Sequence, residues 1–167
     1  MQDPWQGGSG ATTTGTTFWQ AIQAAKPAGV TLQNVGTRTK GNYSGDVGIV
    51  VIGETPYAEG KGDSSTLAVS SANAAQVTDI CSRTTKCVVL LMSGRPLIIN
   101  TQLSRANAFV AAWLPGTEGA GITDVLFGNY PFAGKLPVTW PSAASQEPIN
   151  SGDGKTPLFP FGFGITP

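Results

Sequence analysis

Two long apolar runs, rich in β-branched residues, stand out in the pattern of hydrophobic and polar positions along this chain. The first predicts a strand at Asp46–Gly53 and the second a strand at Cys87–Met92. Apolar runs of this length, without alternation, are typical of parallel strands that are covered on both faces. We therefore predict two buried parallel strands.

Helical periodicity and turn residues place the remaining elements between and around these strands. Helices are predicted at Thr14–Ala25, Ser71–Ser82 and Thr117–Phe127, and shorter strands at Val30–Val35, Leu97–Asn100, Ala108–Leu114 and Lys135–Thr139. Strands separated by helices of this size form right-handed βαβ units. The prediction is an α/β fold, a three-layer sandwich with a mainly parallel sheet and helices on both faces.

No change of composition marks a linker, so residues 1–167 are predicted to form a single domain. The segment 141–167 is rich in Gly, Pro, Ser and aromatic residues. We expect it to wrap the surface of the domain as an ordered loop.

The charge pattern limits the classes of partner. Charged residues make up 12% of the chain, about half the usual share. Lys plus Arg and Asp plus Glu balance at 10 each, without runs of one sign. Nucleic-acid and membrane-surface binding both need clustered basic residues, so neither is predicted. No apolar run approaches the length of a membrane span, and no signal peptide is visible.

Cys81 and Cys87 are the only cysteines. They flank the predicted junction of a helix and a strand, where a short-loop disulfide is geometrically allowed and would indicate an oxidising compartment. The alternative is two reduced thiols, with Cys87 buried in its strand. Two sulfurs without any histidine leave a zinc site short of ligands, so no metal is predicted.

Several common catalytic and cofactor motifs are excluded. The chain has no histidine, which rules out Ser-His-Asp and Cys-His catalysis. The loop from Gly53 to Lys61 resembles a phosphate-binding loop but has the wrong spacing, and Gly62 stands where that motif needs Ser or Thr. A nucleotide or flavin binder is therefore disfavoured, and no cofactor is predicted.

The loop after the first strand concentrates acidic residues. Glu54, Glu59 and Asp63 are three of the 10 carboxylates in the chain, and Tyr57 lies among them. In open α/β sheets, ligands bind beyond the carboxyl ends of the strands. Glycoside hydrolysis is one chemistry that uses paired carboxylates. Glu59 lies mid-loop and is the candidate acid/base, whereas Glu54 and Asp63 are predicted to be loop scaffold; the alternative is that all three only solvate the loop.

Exposed tryptophan is a second hint of sugar binding. Trp5 lies in a Gly-rich segment that is a poor place for a core residue. Trp113 and Trp140 follow apolar runs and are predicted to pack in the core, and Trp19 to lie on the buried face of the first helix.

Five segments together resemble one known family. They are Gly53–Asp63, Leu91–Pro96, Ala111–Gly119, Gly134–Trp140 and Pro157–Gly164. In order and spacing they resemble the second, C-terminal domain of glycoside hydrolase family 3, in the branch of exo-acting β-glucosidases and β-glucan glucohydrolases.

The resemblance implies a six-stranded sheet and a retaining mechanism on β-glucosides. It implies that Glu59, in the string Tyr57-Ala58-Glu59, is the acid/base. It also implies that Trp5 and Tyr57 contact substrate, that Cys81 and Cys87 form a disulfide, and that the protein is secreted or periplasmic.

The resemblance further implies a missing partner. In this family the nucleophile is an aspartate of a preceding (β/α)8 barrel, and nothing like a barrel is present in the chain. The partner is therefore expected to be that barrel domain, and the chain alone is predicted to be inactive. The alternative is a non-catalytic module that binds glucan through exposed aromatics such as Trp5.

Overall fold

The computed structural model describes residues 13–36, 43–57 and 59–165, with only the backbone of Glu59 and Lys61. The described helices and strands follow one another in the order α1 (Phe18–Ala25), β1 (Gly45–Gly53), α2 (Ser71–Arg83), β2 (Thr84–Met92), α3 (Asn100–Arg105), β3 (Ala108–Ala111) and α4 (Gly119–Leu126). Short 3₁₀ turns occupy Glu59–Gly62 and Ala144–Gln146. No helix in the described ranges is long and apolar enough to cross a membrane.

The sheet is parallel, with the strands in the order β1-β2-β3. Val50 lies beside Val89, and Val89 beside Phe109, so equivalent side chains of neighbouring strands project from the same face. The apolar runs of β1 and β2 place Val50, Val89 and Leu90 at 1% exposure or less. The predicted α/β class with a parallel sheet is confirmed. The described residues contribute three strands to it, whereas the resemblance implied six.

Helix α2 covers one face of the sheet and packs against β1 and β2. Its Val77 and Ile80 are buried against the strands. Gly48 allows this close approach, because a Cβ there would lie 2.7 Å from Ile80 Cγ2 and from Thr84 Oγ1. The absence of a side chain in the middle of β1 is therefore a packing requirement of the helix.

A disulfide joins α2 to β2. Cys81 and Cys87 are bonded, with their Cα atoms 5.1 Å apart, and Cys87 is 1% exposed. The disulfide interpretation is confirmed, and the alternative of two free thiols is wrong. The bond closes the short connection between the helix and the strand that follows it.

Helix α1 begins later than predicted because its start is set by a capping box. The Gln20 N–H donates to Thr17 Oγ1 at 3.2 Å, and the Thr17 N–H donates to Gln20 Oε1 at 2.9 Å. The helix packs against α4 and buries Ala21 and Ile22. Trp19, predicted on the buried face, is half-buried.

Three predicted strands do not form in the described part of the chain. Residues 30–35 form no strand and are mostly exposed, and they pair with none of the strands of the described sheet. In Leu97–Asn100, Ile98 makes one isolated bridge to Ala68, and helix α3 begins at Asn100. Lys135–Thr139 contains Pro137, which has no N–H to donate to a sheet ladder. The predicted strands at 30–35, 97–100 and 135–139 are therefore wrong.

The segment after α4 pairs with the C-terminal segment around Phe159 and Phe163 and not with the parallel sheet. Leu136 donates its N–H to the Phe163 carbonyl at 2.8 Å, and Trp140 is bridged to Phe159 in antiparallel fashion. Trp140 is 2% exposed and donates its indole N–H to the Leu97 carbonyl at 2.8 Å. Its ring centroid lies 6.1 Å from that of Trp113, which is partly buried. The predicted core position of Trp140 is confirmed, and Trp113 packs against the same cluster.

Candidate active site

The carboxyl ends of β1 and β2 are tied together by side chains of the loops that follow them. Glu54 comes directly after β1, and Ser93 directly after β2. Ser93 Oγ donates to Glu54 Oε2 at 2.6 Å. Adjacent parallel strands end at the same edge of a sheet, so loops far apart in sequence meet here.

Arg95 completes this junction with a charged pair. Its Nε and Nη2 donate to Glu54 Oε1 at 3.1 and 2.6 Å. The side chains of Arg95 and Glu54 are only 24% and 17% exposed. Hydrogen bonds between ionised groups are stronger than neutral ones, and partial burial limits their screening by solvent. Both oxygens of Glu54 are thus occupied by protein donors.

Tyr57 lies in the acidic loop between Arg95 and Gly62. The Arg95 guanidinium carbon is 4.3 Å from the centroid of the Tyr57 ring, within the range of a cation–π contact. A Cβ at Gly62 would lie 2.2 Å from Tyr57 Cδ2, so only glycine fits there. The ring is therefore held in one place by its two neighbours.

The turn Glu59–Gly62 carries the candidate acid/base. The Asp63 N–H donates to the Gly60 carbonyl at 3.3 Å, and Arg95 Nη1 donates to the Gly62 carbonyl. The backbone of Glu59 begins this turn, while its side chain lies outside the described atoms. The end of the turn is thus fastened to the loop that follows β2.

An open cavity lies directly beside the loop. Its volume is 660 Å³, within the range of small-molecule sites, about 300–1,000 Å³. Its lining combines carboxylates, hydroxyls and a guanidinium with two apolar residues: Asp63, Ser64, Ser65, Leu67, Arg95, Pro96 and Glu147. A lining that combines apolar surface with polar hydrogen-bonding groups suits a polyhydroxylated ligand.

Backbone strain is concentrated at this edge of the sheet. Among the described residues, the only non-glycine residues with positive φ are Leu67, at +48°, and Trp113, at +51°. Leu67 lines the cavity, and Trp113 follows β3. Two hydrogen bonds hold Leu67 in place: its N–H donates to Ser64 Oγ, and its carbonyl accepts from the Ile98 N–H. A strained backbone of this kind persists only where the surrounding contacts hold it in place, and such residues cluster at ligand sites.

The pKa of Tyr57 is raised, first by burial and then by the nearby Glu54 carboxylate, although the Arg95 cation opposes the shift. A raised folded-state pKa means that this tyrosine stabilises the fold while it is neutral. The contribution is complete below the ordinary tyrosine value of about 10 and is lost as the pH rises through the folded-state value.

We therefore expect the free energy of unfolding to fall more steeply above pH 10 in the natural chain than in Tyr57→Phe. Urea unfolding at several pH values from 8 to 11 measures this difference. The two proteins differ only at position 57, so the contributions of all other residues cancel in the comparison. If the free energy of unfolding depends on pH in the same way in both proteins, the raised pKa of Tyr57 is contradicted.

The structure brings together some predicted site residues and leaves others outside its description. Glu54, Tyr57 and Asp63 lie around one loop, with Asp63 exposed at the cavity. Trp5 lies outside the described residues. In the described ranges no group of three or more His, Cys, Asp or Glu side chains could hold a metal ion.

Sequence reasoning did not assign a role to Ser93, Gly62 or Arg95. A signal was present, because Ser93 and Arg95 follow the second predicted parallel strand as Glu54 follows the first. An arginine beside an acidic loop at the same sheet edge is a candidate ion pair. Its actual contacts depend on loop geometry that the pattern of residues does not give.

Comparisons with known proteins agree with this architecture. The family model of the glycosyl hydrolase family 3 C-terminal domain matches residues 1–166. The chain is 29% identical over 171 residues to a periplasmic beta-glucosidase of Salmonella typhimurium, covering 88% of the chain and 20% of that protein. It is 34% identical over 131 residues to a lysosomal beta glucosidase of Dictyostelium discoideum, covering 74% of the chain and 16% of that protein.

A solved structure shows the same relationship. A mutant of the exo-1,3/1,4-beta-glucanase ExoP from a Pseudoalteromonas species superposes with a TM-score of 0.74 at 34% identity. The superposition covers 90% of the chain and 26% of ExoP. The chain therefore spans between about a sixth and a quarter of the length of these relatives. With the family model matching nearly every residue, the chain belongs to glycosyl hydrolase family 3 and corresponds to its C-terminal domain.

Proposed function

We propose that this chain supplies the acid/base carboxylate, Glu59, to a retaining exo-acting β-glucosidase or β-glucan glucohydrolase. The active site would be shared with an N-terminal (β/α)8 barrel of the same enzyme. The observation that carries the proposal is the anchoring of the turn Glu59–Gly62 at the carboxyl edge of the sheet, where Arg95 holds Glu54 and Gly62. Ligands of open α/β sheets bind at this edge.

The chemistry needs two carboxylates on opposite sides of the scissile bond. In the first step, Glu59 would protonate the glycosidic oxygen while the aspartate of the barrel attacks the anomeric carbon. In the second step, Glu59 would take a proton from water as the water displaces the enzyme from the sugar. Retention requires the two carboxyl groups to lie about 5–5.5 Å apart. The barrel must therefore dock against the mouth of the acidic loop.

The other carboxylates have structural roles in this proposal. Both oxygens of Glu54 accept hydrogen bonds from Ser93 and Arg95, so Glu54 acts as loop scaffold. Asp63 closes the turn with its N–H and lines the cavity beside it. Because protein donors hold both of its oxygens, the Glu54 carboxyl group is not free to approach a glycosidic oxygen.

Substrate contacts are proposed for Trp5 and Tyr57. Arg95 and Gly62 pack against the Tyr57 ring, and the hydroxyl group hydrogen-bonds with Glu54, so a sugar would contact the remaining surface of the ring. Glycine at position 94 leaves room for the Tyr57 hydroxyl, because a Cβ there would lie only 3.3 Å from the hydroxyl oxygen. Trp5 would offer an aromatic face to the leaving-group sugar.

A location outside the cytoplasm, secreted or periplasmic, fits the same proposal. Two relatives are named periplasmic and lysosomal. The Cys81–Cys87 disulfide supports an oxidising compartment, since cytosolic thiols are kept reduced.

Complementation tests the proposal. The chain is mixed with a separately expressed family 3 barrel domain, and hydrolysis of an aryl β-glucoside is measured. We expect activity in the mixture and none with either part alone, because each part holds one of the two carboxylates. A mixture that forms a stable complex but stays inactive would refute the proposal. Binding of β-glucan by the chain alone, lost in Trp5→Ala, would instead identify a non-catalytic binding module.

A further inference from the structure

We infer that Arg95 is a positioning residue that clamps the acidic loop on both sides of Glu59. The catalytic consequence of this clamp rests on the proposed function, whereas the clamp itself does not. Arg95 belongs to the loop after β2, and the loop it holds follows β1. One side chain therefore links the two loops.

The contacts of Arg95 fall before and after the candidate acid/base. Before it, Nε and Nη2 hold the Glu54 carboxylate, and the guanidinium lies over the Tyr57 ring. After it, Nη1 holds the Gly62 carbonyl at the end of the turn. Every nitrogen of the guanidinium is thus engaged with the segment from Glu54 to Gly62, and Glu59 lies between these fixed points.

The clamp is itself held in position. Ser93 Oγ accepts the Arg95 N–H at 3.2 Å. Its one hydroxyl hydrogen is shared between Glu54 Oε2 and the Arg95 carbonyl, which lie 2.6 and 2.8 Å from Oγ. Ser93 is 2% exposed. Asn73 of α2 adds a bond from Nδ2 to the Gly53 carbonyl at 2.6 Å. These contacts fix the starting point of the loop and the base of the arginine together.

Lysine cannot replace this arrangement. The guanidinium is planar, and its nitrogens point in three directions in one rigid plane, while its face stacks on an aromatic ring. A lysine ammonium is a compact point charge that would reach Glu54 or Gly62 but not span both and cover Tyr57. Charge alone therefore does not reproduce the clamp.

Hydrogen exchange in the isolated chain tests the clamp without any assay of activity. In Arg95→Met, we expect amide exchange in residues 57–62 to rise by about tenfold or more, because several charge-assisted bonds are lost. The amides of β1 and β2 should keep their protection. Arg95→Lys should also free the loop. The control, Arg105→Met, removes an exposed arginine at the end of α3 and should change neither region.

The titration of Tyr57 gives an independent signature. If Arg95 is the clamp, Tyr57 leaves its site in Arg95→Met and its pKa falls toward the ordinary value. If Arg95 is only a neighbouring cation, the ring stays buried and the loss of positive charge raises the pKa further. A pH titration followed by the ultraviolet absorbance of tyrosinate, with Tyr57→Phe as the reference, measures the direction of this pKa change and so distinguishes the two roles of Arg95.

Two results would overturn the clamp. One is unchanged exchange in residues 57–62 of Arg95→Met. The other is equal acceleration in the loop and in both strands, which would make Arg95 a general stabilising residue. If Arg95→Met does not fold, Arg95→Lys provides the test. Amide exchange in the loop of Arg95→Lys that is as slow as in the natural chain would also overturn the clamp.

The catalytic consequence is measured in the complex with the barrel domain. Misplacement of a catalytic group by about 1 Å can cost about 10²-fold in rate. We expect Arg95→Met to lower kcat/KM by about this factor for phenyl β-glucoside, and by much less for 2,4-dinitrophenyl β-glucoside, whose departure needs little protonation. If Glu59→Gln lacks this leaving-group dependence, the proposed function fails, while the exchange result still decides the clamp.

Discussion

Replacing Glu59 by glutamine in the complex with the barrel domain should lower kcat/KM for phenyl β-glucoside by about 10²–10⁴-fold. This is the usual contribution of a positioned general acid. The amide has nearly the shape of the carboxyl group but cannot deliver a proton to the glycosidic oxygen. Steady-state kinetics over a series of aryl β-glucosides of decreasing leaving-group pKa measures the effect. The loss should shrink as the leaving group improves.

The second half of the mechanism gives a further readout on Glu59→Gln. A good leaving group departs without an acid, but water still needs a base to attack the covalent intermediate. Azide needs no deprotonation, so it should restore turnover and yield β-glucosyl azide. The alkaline limb of the pH profile of kcat/KM, which reports the acid, should also disappear.

A matched control comes from the opposite end of β1. Asp46→Asn makes the same change of carboxylate to amide at an exposed position near the start of the strand. We expect this variant to keep the natural rate and pH profile. A Glu59→Gln enzyme with the natural dependence on leaving group, and without azide rescue, would show that another residue is the acid/base.

Trp140→Ala should lower the free energy of unfolding by about 3–5 kcal/mol, the range for truncating a buried aromatic residue. Trp140 is 2% exposed and belongs to the same cluster as Val89, Leu97 and Ile99. The substitution removes ring contacts with Trp113 and leaves the Leu97 carbonyl without its indole donor. The cavity and the unpaired carbonyl both add to the loss.

Urea unfolding of the isolated chain measures this loss. Phe161→Ala serves as the control, because Phe161 is 60% exposed in the same C-terminal part of the chain. Its cost should stay within about 0.5 kcal/mol, as for most surface substitutions. If the two variants lose similar amounts of unfolding free energy, the buried packing of Trp140 is not the source of the loss.

The success of sequence-based prediction differed between elements for a physical reason. Strands β1 and β2 were predicted correctly because a continuous β-branched run has few other stable environments than a parallel sheet that is covered on both faces. The disulfide left two interpretations open, because spacing permits a bond without requiring it. The segment 135–139 has strand-like residues, yet only Leu136 pairs with the C-terminal segment, through two backbone hydrogen bonds to Gly162 and Phe163. Whether an apolar segment finds a neighbouring strand depends on the whole topology.

In the candidate site, too, some features follow from the sequence and others only from the folded structure. Local composition and periodicity were enough to predict strands β1 and β2, the acidic loop after β1 and the carboxylates from which Glu59 was chosen. The folded chain was needed to show that Arg95 meets Glu54, 41 positions away, and that Ser93 meets it across 39 positions. Parallel pairing brings the ends of β1 and β2 to one edge of the sheet, and no local pattern specifies how two loops meet there.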